Sequence, residues 1–417
     1  VHYLPLLLLV IIFIAASLRK VGRFSAPIWL VMLVCAIIVI ASGNISLQQA
    51  WQAIDLPTIF YLITVFFIGS ALHDSRLLDV MLVKYVVRHA SQEKLLCILC
   101  FGSGLLSALF LNDTIAIVGA DIVITLIKRH SLASTPYLYA LAFSMTIGSV
   151  FSPIGNPQNL LIAGHLSTPF ISFFGYLFIP SMITLYACYR LIAFVSRKEL
   201  CLPMSTNISM TESVSINVKA VTPVIIALIS FVILIILKVL LTLIEMPLIS
   251  LTYIALIACL PIIIAYQRRM AVFKHLDWTS IIFFVAMFVF MHAVWLTGIT
   301  QSFLSTHQAW LLNPLSLIMI GFVLSQMLSN VPAVMLLLPL LNPYGQTSEL
   351  FIALAVGSTL SGNLSMLGAA SNVILFQSAE RVKIFAFRFA SFLCIGLILS
   401  LIFLGCYWLM TLCFTSV

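Results

Sequence analysis

The chain has 417 residues, of which 63% are hydrophobic and 8% charged, with a net charge of +8. A mean hydropathy of +1.21 excludes an ordinary soluble domain, in which about a quarter of the residues are charged. The basic excess therefore has to be read as membrane topology before nucleic-acid binding, and continuous apolar runs in place of short alternating segments exclude a β-barrel.

Runs long and apolar enough to approach the ~20 residues of a membrane-crossing helix lie at 3–18, 26–43, 56–73, 95–127, 136–165, 170–195, 220–242, 248–266, 279–298, 315–341, 350–378 and 388–412. The first has neither a basic segment before it nor a cleavage site after it, so it reads as a span and not a signal peptide. Lys and Arg collect on cytoplasmic loops. With Arg19, Lys20 and Arg23 inside, the clusters Arg76/Lys84/Arg88/Lys94, Lys128/Arg129, Arg197/Lys198/Lys219, Arg268/Arg269/Lys274 and Arg381/Lys383/Arg388 must be inside too. That requires 95–127 and 315–341 to enter and leave on one side, as re-entrant hairpins opening to the cytoplasm and to the outside respectively. Both termini then fall outside a plasma (bacterial inner) membrane, the linker 196–219 is cytoplasmic, and Lys238 is left near the outer face, where snorkelling is expected. Nine cysteines without paired spacing give no disulfide framework, and "CILC" at 97–100 reads as packing.

The two halves of the chain match. "SPIGNPQNLLI" at 152–162 aligns with "SMLGAASNVIL" at 365–375, "LNDTIAIV" at 111–118 with "LSNVPAVM" at 328–335, and "IDLPTIFYLITVFFIGSAL" at 54–72 with "LDWTSIIFFVAMFVFMHAV" at 276–294. By the charge pattern the copies have opposite orientation, an inverted-topology repeat. The predicted fold is thus an all-α polytopic membrane protein with two re-entrant hairpins and two discontinuous helices. A first extra helix (1–24) precedes repeat 1 (25–195, with hairpin 95–128 and broken helix 136–165). A linker and connecting helix (196–243) lead to repeat 2 (244–417, with hairpin 315–342 and broken helix 350–378). Segments 76–92 and 299–313 are expected to lie in opposite membrane surfaces.

Irregular backbone at membrane depth is tolerated where protein or a water-filled cavity satisfies its polar groups. Four such places occur: the turns Asn112-Asp113-Thr114 and Ser329-Asn330, and the breaks around Gly155-Asn156-Pro157-Gln158-Asn159 and Gly368-Ala369-Ala370-Ser371-Asn372. Half-helix N-termini suit an anion, and freed carbonyls suit a cation. Asp113, facing the neutral Asn330 in the other repeat, is the leading candidate for cation binding or proton exchange, because an intramembrane carboxylate is costly. Asp121, eight residues further on, and His292, the counterpart of Ser70, are further proton-coupling candidates.

These four stretches resemble the signatures of the ion transporter superfamily. They are most similar to the permeases grouped with arsenite-efflux (ArsB-type) and NhaD-type sodium/proton antiporter families, and more distantly to divalent anion/sodium symporters and citrate transporters. The resemblance covers nearly the whole chain. It implies a scaffold domain, often a dimer interface, beside an elevator-like transport domain carrying both hairpins. It implies ion and substrate binding at Asn112, Asp113, Thr114, Gly155, Asn156, Asn159, Ser329, Asn330, Gly368, Ser371 and Asn372, with sodium held among Asn112, Asp113, Asn156, Ser329 and Asn330. The tips depart from the Ser-Asn-Thr of the dicarboxylate branch, and Asp121 stands where those relatives have a small or Pro-type residue. The expected activity is secondary transport of an inorganic or small organic anion coupled to protons or sodium. The alternatives are sodium/proton antiport without an anion and, behind it, a channel. No catalytic signature or P-loop occurs, so neither an enzyme nor an ATP site in this chain is expected. No cofactor beyond sodium and no nucleic-acid partner is expected.

Overall fold

The computed structural model describes residues 3–17, 27–78, 91–201, 218–244, 246, 249–306, 308–341, 348–365, 368–384 and 388–415. Among them every regular element is helical. Six helices are long and apolar enough to cross a membrane: Leu56–Asp74, Gln92–Leu109, Pro169–Val195, Val221–Leu243, Trp278–Leu296 and Phe389–Leu412. Helix Val218–Leu243 shows why they need lipid. It buries Val224, Ala227 and Phe231 and presents Ile225, Ile229, Ile233 and Ile236 outward. Such an unbroken apolar face is matched by hydrocarbon rather than by water.

The same element order occurs in both halves. In the first, helix Ile28–Ala41, short helix Leu47–Ala53 and helix Leu56–Asp74 precede a helical pair, Gln92–Leu109 and Asn112–His130. An interrupted helix, Ser134–Val150 then Pro157–Ala163, and the long helix Pro169–Val195 complete it. In the second half the order is Leu251–Ala265, Arg269–Lys274, Trp278–Leu296, the pair Pro314–Leu328 and Asn330–Leu341, the interrupted helix Ser348–Leu360 then Ala370–Arg381, and Phe389–Thr415. Both helical pairs turn within one or two residues. The first extends slightly beyond the predicted 95–128, because Ser91 caps its first arm through Lys94 N (3.3 Å) and the second arm runs to His130.

Local chemistry repeats as well. Asp55 accepts from Thr58 N at 3.2 Å and Asp277 from Ser280 N at 3.1 Å, so each half starts its second long helix with the same side-chain cap. The short helices before these caps were not read from the sequence. Of the two expected surface segments, 76–92 lies mostly outside the described residues, as do Arg19, Lys20 and Arg23. Its counterpart forms helices Ile299–Thr306 and Gln308–Leu311.

Packing couples the halves reciprocally. Helix Ile28–Ala41 lies against Trp278–Leu296, and Leu251–Ala265 lies against Leu56–Asp74. The extra helices Leu4–Ser17 and Val218–Leu243 each pack on the first helix of one half. The closing helices Pro169–Val195 and Phe389–Thr415 pack together. Each interrupted helix sits tightly on the first arm of its own helical pair: a Cβ on Gly148 would stand 2.1 Å from Gly104 O, and one on Gly357 would stand 2.4 Å from Ile318 O. Small residues that let backbones touch are how helices associate in lipid, where burial of apolar surface gives little. Cys100 is fully buried and all the described cysteines are free, as the packing reading of "CILC" requires.

Lys238, expected near the outer face, is buried (6% exposed), and its Nζ donates to Ile249 O at 2.8 Å, just before helix Leu251–Ala265.

Candidate functional site

Each interrupted helix has a break whose loose carbonyls are gathered by a single asparagine. In the first, Asn159 Nδ2 donates to Ser149 O (3.1 Å), Val150 O (3.4 Å) and Ser152 O (3.0 Å), and Asn156 Nδ2 donates to Ser149 Oγ (2.6 Å). In the second, Asn372 Nδ2 donates to Gly362 O at 2.7 Å, after one 3₁₀ turn over Ser361–Asn363. Helix ends leave carbonyls unpaired, and an amide nitrogen carried one turn into the next half-helix reaches back to them.

Two glycines let the chain fold onto itself here. A Cβ on Gly155 would lie 2.5 Å from Ser149 O, and one on Gly368 would lie 2.7 Å from Ser361 O. Those approaches are closer than any side chain allows.

Both hairpin tips touch the break of their own half. Asn112 N donates to Gly155 O at 2.9 Å. With the carboxamide of Asn330 assigned in the orientation that satisfies its neighbours, its nitrogen donates to Gly368 O (3.1 Å), Ser358 O (3.0 Å) and Ser361 Oγ (3.0 Å). Before it, Ser329 sits at φ 79°, ψ 161°, a region that is essentially glycine-only and costs an L-residue ~1–3 kcal/mol. The strain is held at the tip, where Gln326 also bridges to Ser361 O and accepts from Ser365 Oγ (3.0 Å).

The halves meet at the breaks. Thr359 Oγ1 donates to Asn159 Oδ1 at 3.3 Å and Gln158 Nε2 donates to Thr359 Oγ1 at 3.3 Å. Arm Asn112–His130 packs on half-helix Ala370–Arg381, and arm Asn330–Leu341 packs on Pro157–Ala163. Within this assembly several buried polar atoms have no hydrogen-bond partner among the described residues: Asn112 Oδ1, Thr114 Oγ1, both side-chain atoms of Asn363, Ser371 Oγ and Asn372 Oδ1. Unpaired buried polar atoms are costly and rare, and most of these are oxygens, as a hard cation prefers. The helix starts at Asn112 and Ala370 carry no side-chain cap, so apart from Asn112 N, which is held by Gly155 O, the N–H groups of these first turns have no capping side chain.

The structure thus draws Asn112, Gly155, Asn156 and Asn159 together in one half, and Ser329, Asn330, Gly368 and Asn372 in the other. Asp113 is half-buried at the first tip, beside Asn112 and Thr114. Asp121 is not drawn in. It is exposed and its Oδ2 lies 2.7 Å from His73 Nε2. His292 is half-buried along Trp278–Leu296. Thr146, Thr359, Gln326 and Asn363 were missed. Extending the repeat alignment back from Ser152/Ser365 would have paired Thr146 with Thr359, and a Cβ on Gly362 would indeed touch Thr146 Cγ2 at 3.4 Å.

Membrane-length helices around a core of two polar-tipped turns and two helix breaks define a polytopic membrane transporter. The family model described as Citrate transporter (CitMHS) matches residues 8–347, and the chain belongs to that family, within the ion transporter superfamily. The silicon efflux transporter LSI3 of Oryza sativa subsp. japonica is 34% identical over 162 residues, 39% of this chain and 32% of that protein; the chain therefore aligns with about a third of that relative's length. The inner membrane protein YbiR of Escherichia coli is 27% identical over 338 residues, 81% of this chain and 83% of its own length. Among solved structures, MtrF of Neisseria gonorrhoeae superposes with a TM-score of 0.58 at 16% identity, covering 98% of this chain and 94% of that one, a likeness of fold. The expected superfamily, helical fold and integral membrane character are borne out.

Proposed function

We propose that the protein is a secondary active transporter that moves a small inorganic or organic anion across the plasma (bacterial inner) membrane, coupled to protons or sodium. The observation that carries this reading is the set of unpaired buried polar atoms at Asn112, Thr114, Asn363, Ser371 and Asn372, beside helix starts without caps. Oxygens of this set serve sodium, and free N–H groups at helix starts serve an anion. Asp113 carries the one carboxylate of the tip and is the coupling residue. The relative named for silicon efflux and the family named for citrate both fit an oxygen-rich, hydroxylated or anionic substrate.

On this reading repeat 1 (25–195) and repeat 2 (244–417) run in opposite senses. The hairpins and interrupted helices form a body that slides against a scaffold made by the spanning helices before them, and scaffold helices pair two copies in a homodimer. The reciprocal packing of the halves supports that division. A second reading, sodium/proton exchange without an anion, is favoured by Asp113 alone.

The test uses purified protein in liposomes holding a pH dye, given sodium, arsenite, phosphate, sulfate, succinate and citrate in turn. Coupled movement of one anion that Asp113→Asn abolishes supports the first reading. A sodium jump that moves protons with no anion present, and fails in Asp113→Asn, establishes the second. Silence in every arm with folded protein defeats both.

A further inference from the structure

A pocket of about 380 Å³ lies where three bodies meet: the start of helix Leu56–Asp74, helix Val218–Leu243 together with residues 250–252, and the segment 160–169 that follows the first break. Its volume is within the range of small-molecule sites. Among the described residues of its wall, Lys238 is the only Lys or Arg. Its ammonium is buried, and the carbonyl of Ile249 at 2.8 Å takes one of its three donors. No carboxylate stands within ion-pair distance of it among the described residues. The one acid of the wall among the described residues, Asp55, caps its own helix, with Oδ1 accepting from Thr58 N (3.2 Å) and Oδ2 from Thr58 Oγ1 (2.7 Å). Tyr61, 1% exposed, also lines the pocket, and its hydroxyl has no partner among the described residues.

The wall therefore holds spare donors and a buried ammonium, beside a carboxylate turned to the start of its own helix. Among the described residues the ammonium has no ion-pair partner, and a buried charge is unfavourable without one. We propose that this pocket binds a small carboxylate or oxyanion, with Lys238 as its counter-ion and the Tyr61 hydroxyl as a donor, apart from the site at the hairpin tips. The anion lies between the scaffold helices and the end of half-helix Pro157–Ala163. Resting on the transporter reading above, it fastens the first break to the scaffold in the arrangement seen here.

Calorimetric titration of the delipidated full chain with sulfate, succinate and short-chain phosphatidylglycerol tests the site, with transport measured separately in liposomes. Lys238→Met is expected to weaken binding about tenfold or more, and Tyr61→Phe by a smaller factor. Lys238-dependent binding of phosphatidylglycerol alone would assign the oxyanion to a lipid headgroup, and binding of sulfate or succinate would assign it to a solute. Equal affinity in folded Lys238→Met and Tyr61→Phe proteins, or no binding of any probe to the wild type, would overturn the proposal. None of these outcomes depends on transport, so failure of the transporter reading is seen independently.

Discussion

His73 Nε2 lies 2.7 Å from Asp121 Oδ2, joining the last turn of helix Leu56–Asp74 to the return arm of the first hairpin. The next residue, Asp74, holds the same helix end to the other half of the chain, accepting from Tyr266 Oη at 2.7 Å and pairing with Arg268 at 3.1 Å. One helix end is thus fixed to a neighbour in the other half and, one residue earlier, to the body proposed to move.

The two partners are 44% and 58% exposed, so the pair contributes at the lower end of the ~0.2–1 kcal/mol of open ion pairs. Asp121→Asn or His73→Phe is expected to raise turnover about two- to fivefold by loosening one end state. Transport rates of the two single variants and the double variant check this. A loss of all coupling in Asp121→Asn would instead make Asp121 a carrier of the proton.

Asn159 satisfies three carbonyls and Asn372 satisfies one. Each buried carbonyl left unpaired costs about 1–3 kcal/mol. Asn159→Ala should therefore lower the Tm in detergent more than Asn372→Ala does. Asn159→Asp should be worse than either, since it would turn a carboxylate oxygen toward carbonyl oxygens. Equal melting of all three variants and wild type would show that the amide does not hold the break.

The strained tip predicts a change of opposite sign. Ser329 at φ 79° should be stabilised by Ser329→Gly by about 1 kcal/mol, whereas Gly155→Ala, with its Cβ 2.5 Å from Ser149 O, should reduce folded yield sharply. Thermal denaturation of Ser329→Gly beside Ser329→Ala separates backbone relief from loss of the hydroxyl.

Topology gives a prediction independent of side chains. A single cysteine introduced at 205–215 in a cysteine-free background should react with impermeant thiol reagents only from the cytoplasmic side. Labelling from outside would reverse the orientation of every span.

What could be read from the sequence was local. Twelve apolar runs found their helices, and Asn112-Asp113, Gly155-Asn156-Pro157 and Gly368 marked the interruptions, because Gly, Pro and clustered polar residues act on the few bonds around them. The internal repeat added the pairing of tip with break, since equal order in two halves demands equal neighbours. The caps at Asp55 and Asp277 also follow from a short pattern, although the helices before them carry too few apolar residues to stand out.

Only the tertiary structure decided the partners. Asp121 meets His73 across 48 residues, and Thr359 meets Asn159 across 200. Lys238 meets the Ile249 carbonyl across 11 residues, and that places its ammonium on the wall of a pocket. Hydropathy and turn chemistry are set by neighbours in the chain, so the sequence by itself determined a helical membrane transporter with two broken helices. Which buried polar atoms find a partner and which do not depends on contacts between distant segments, and the folded structure alone establishes those.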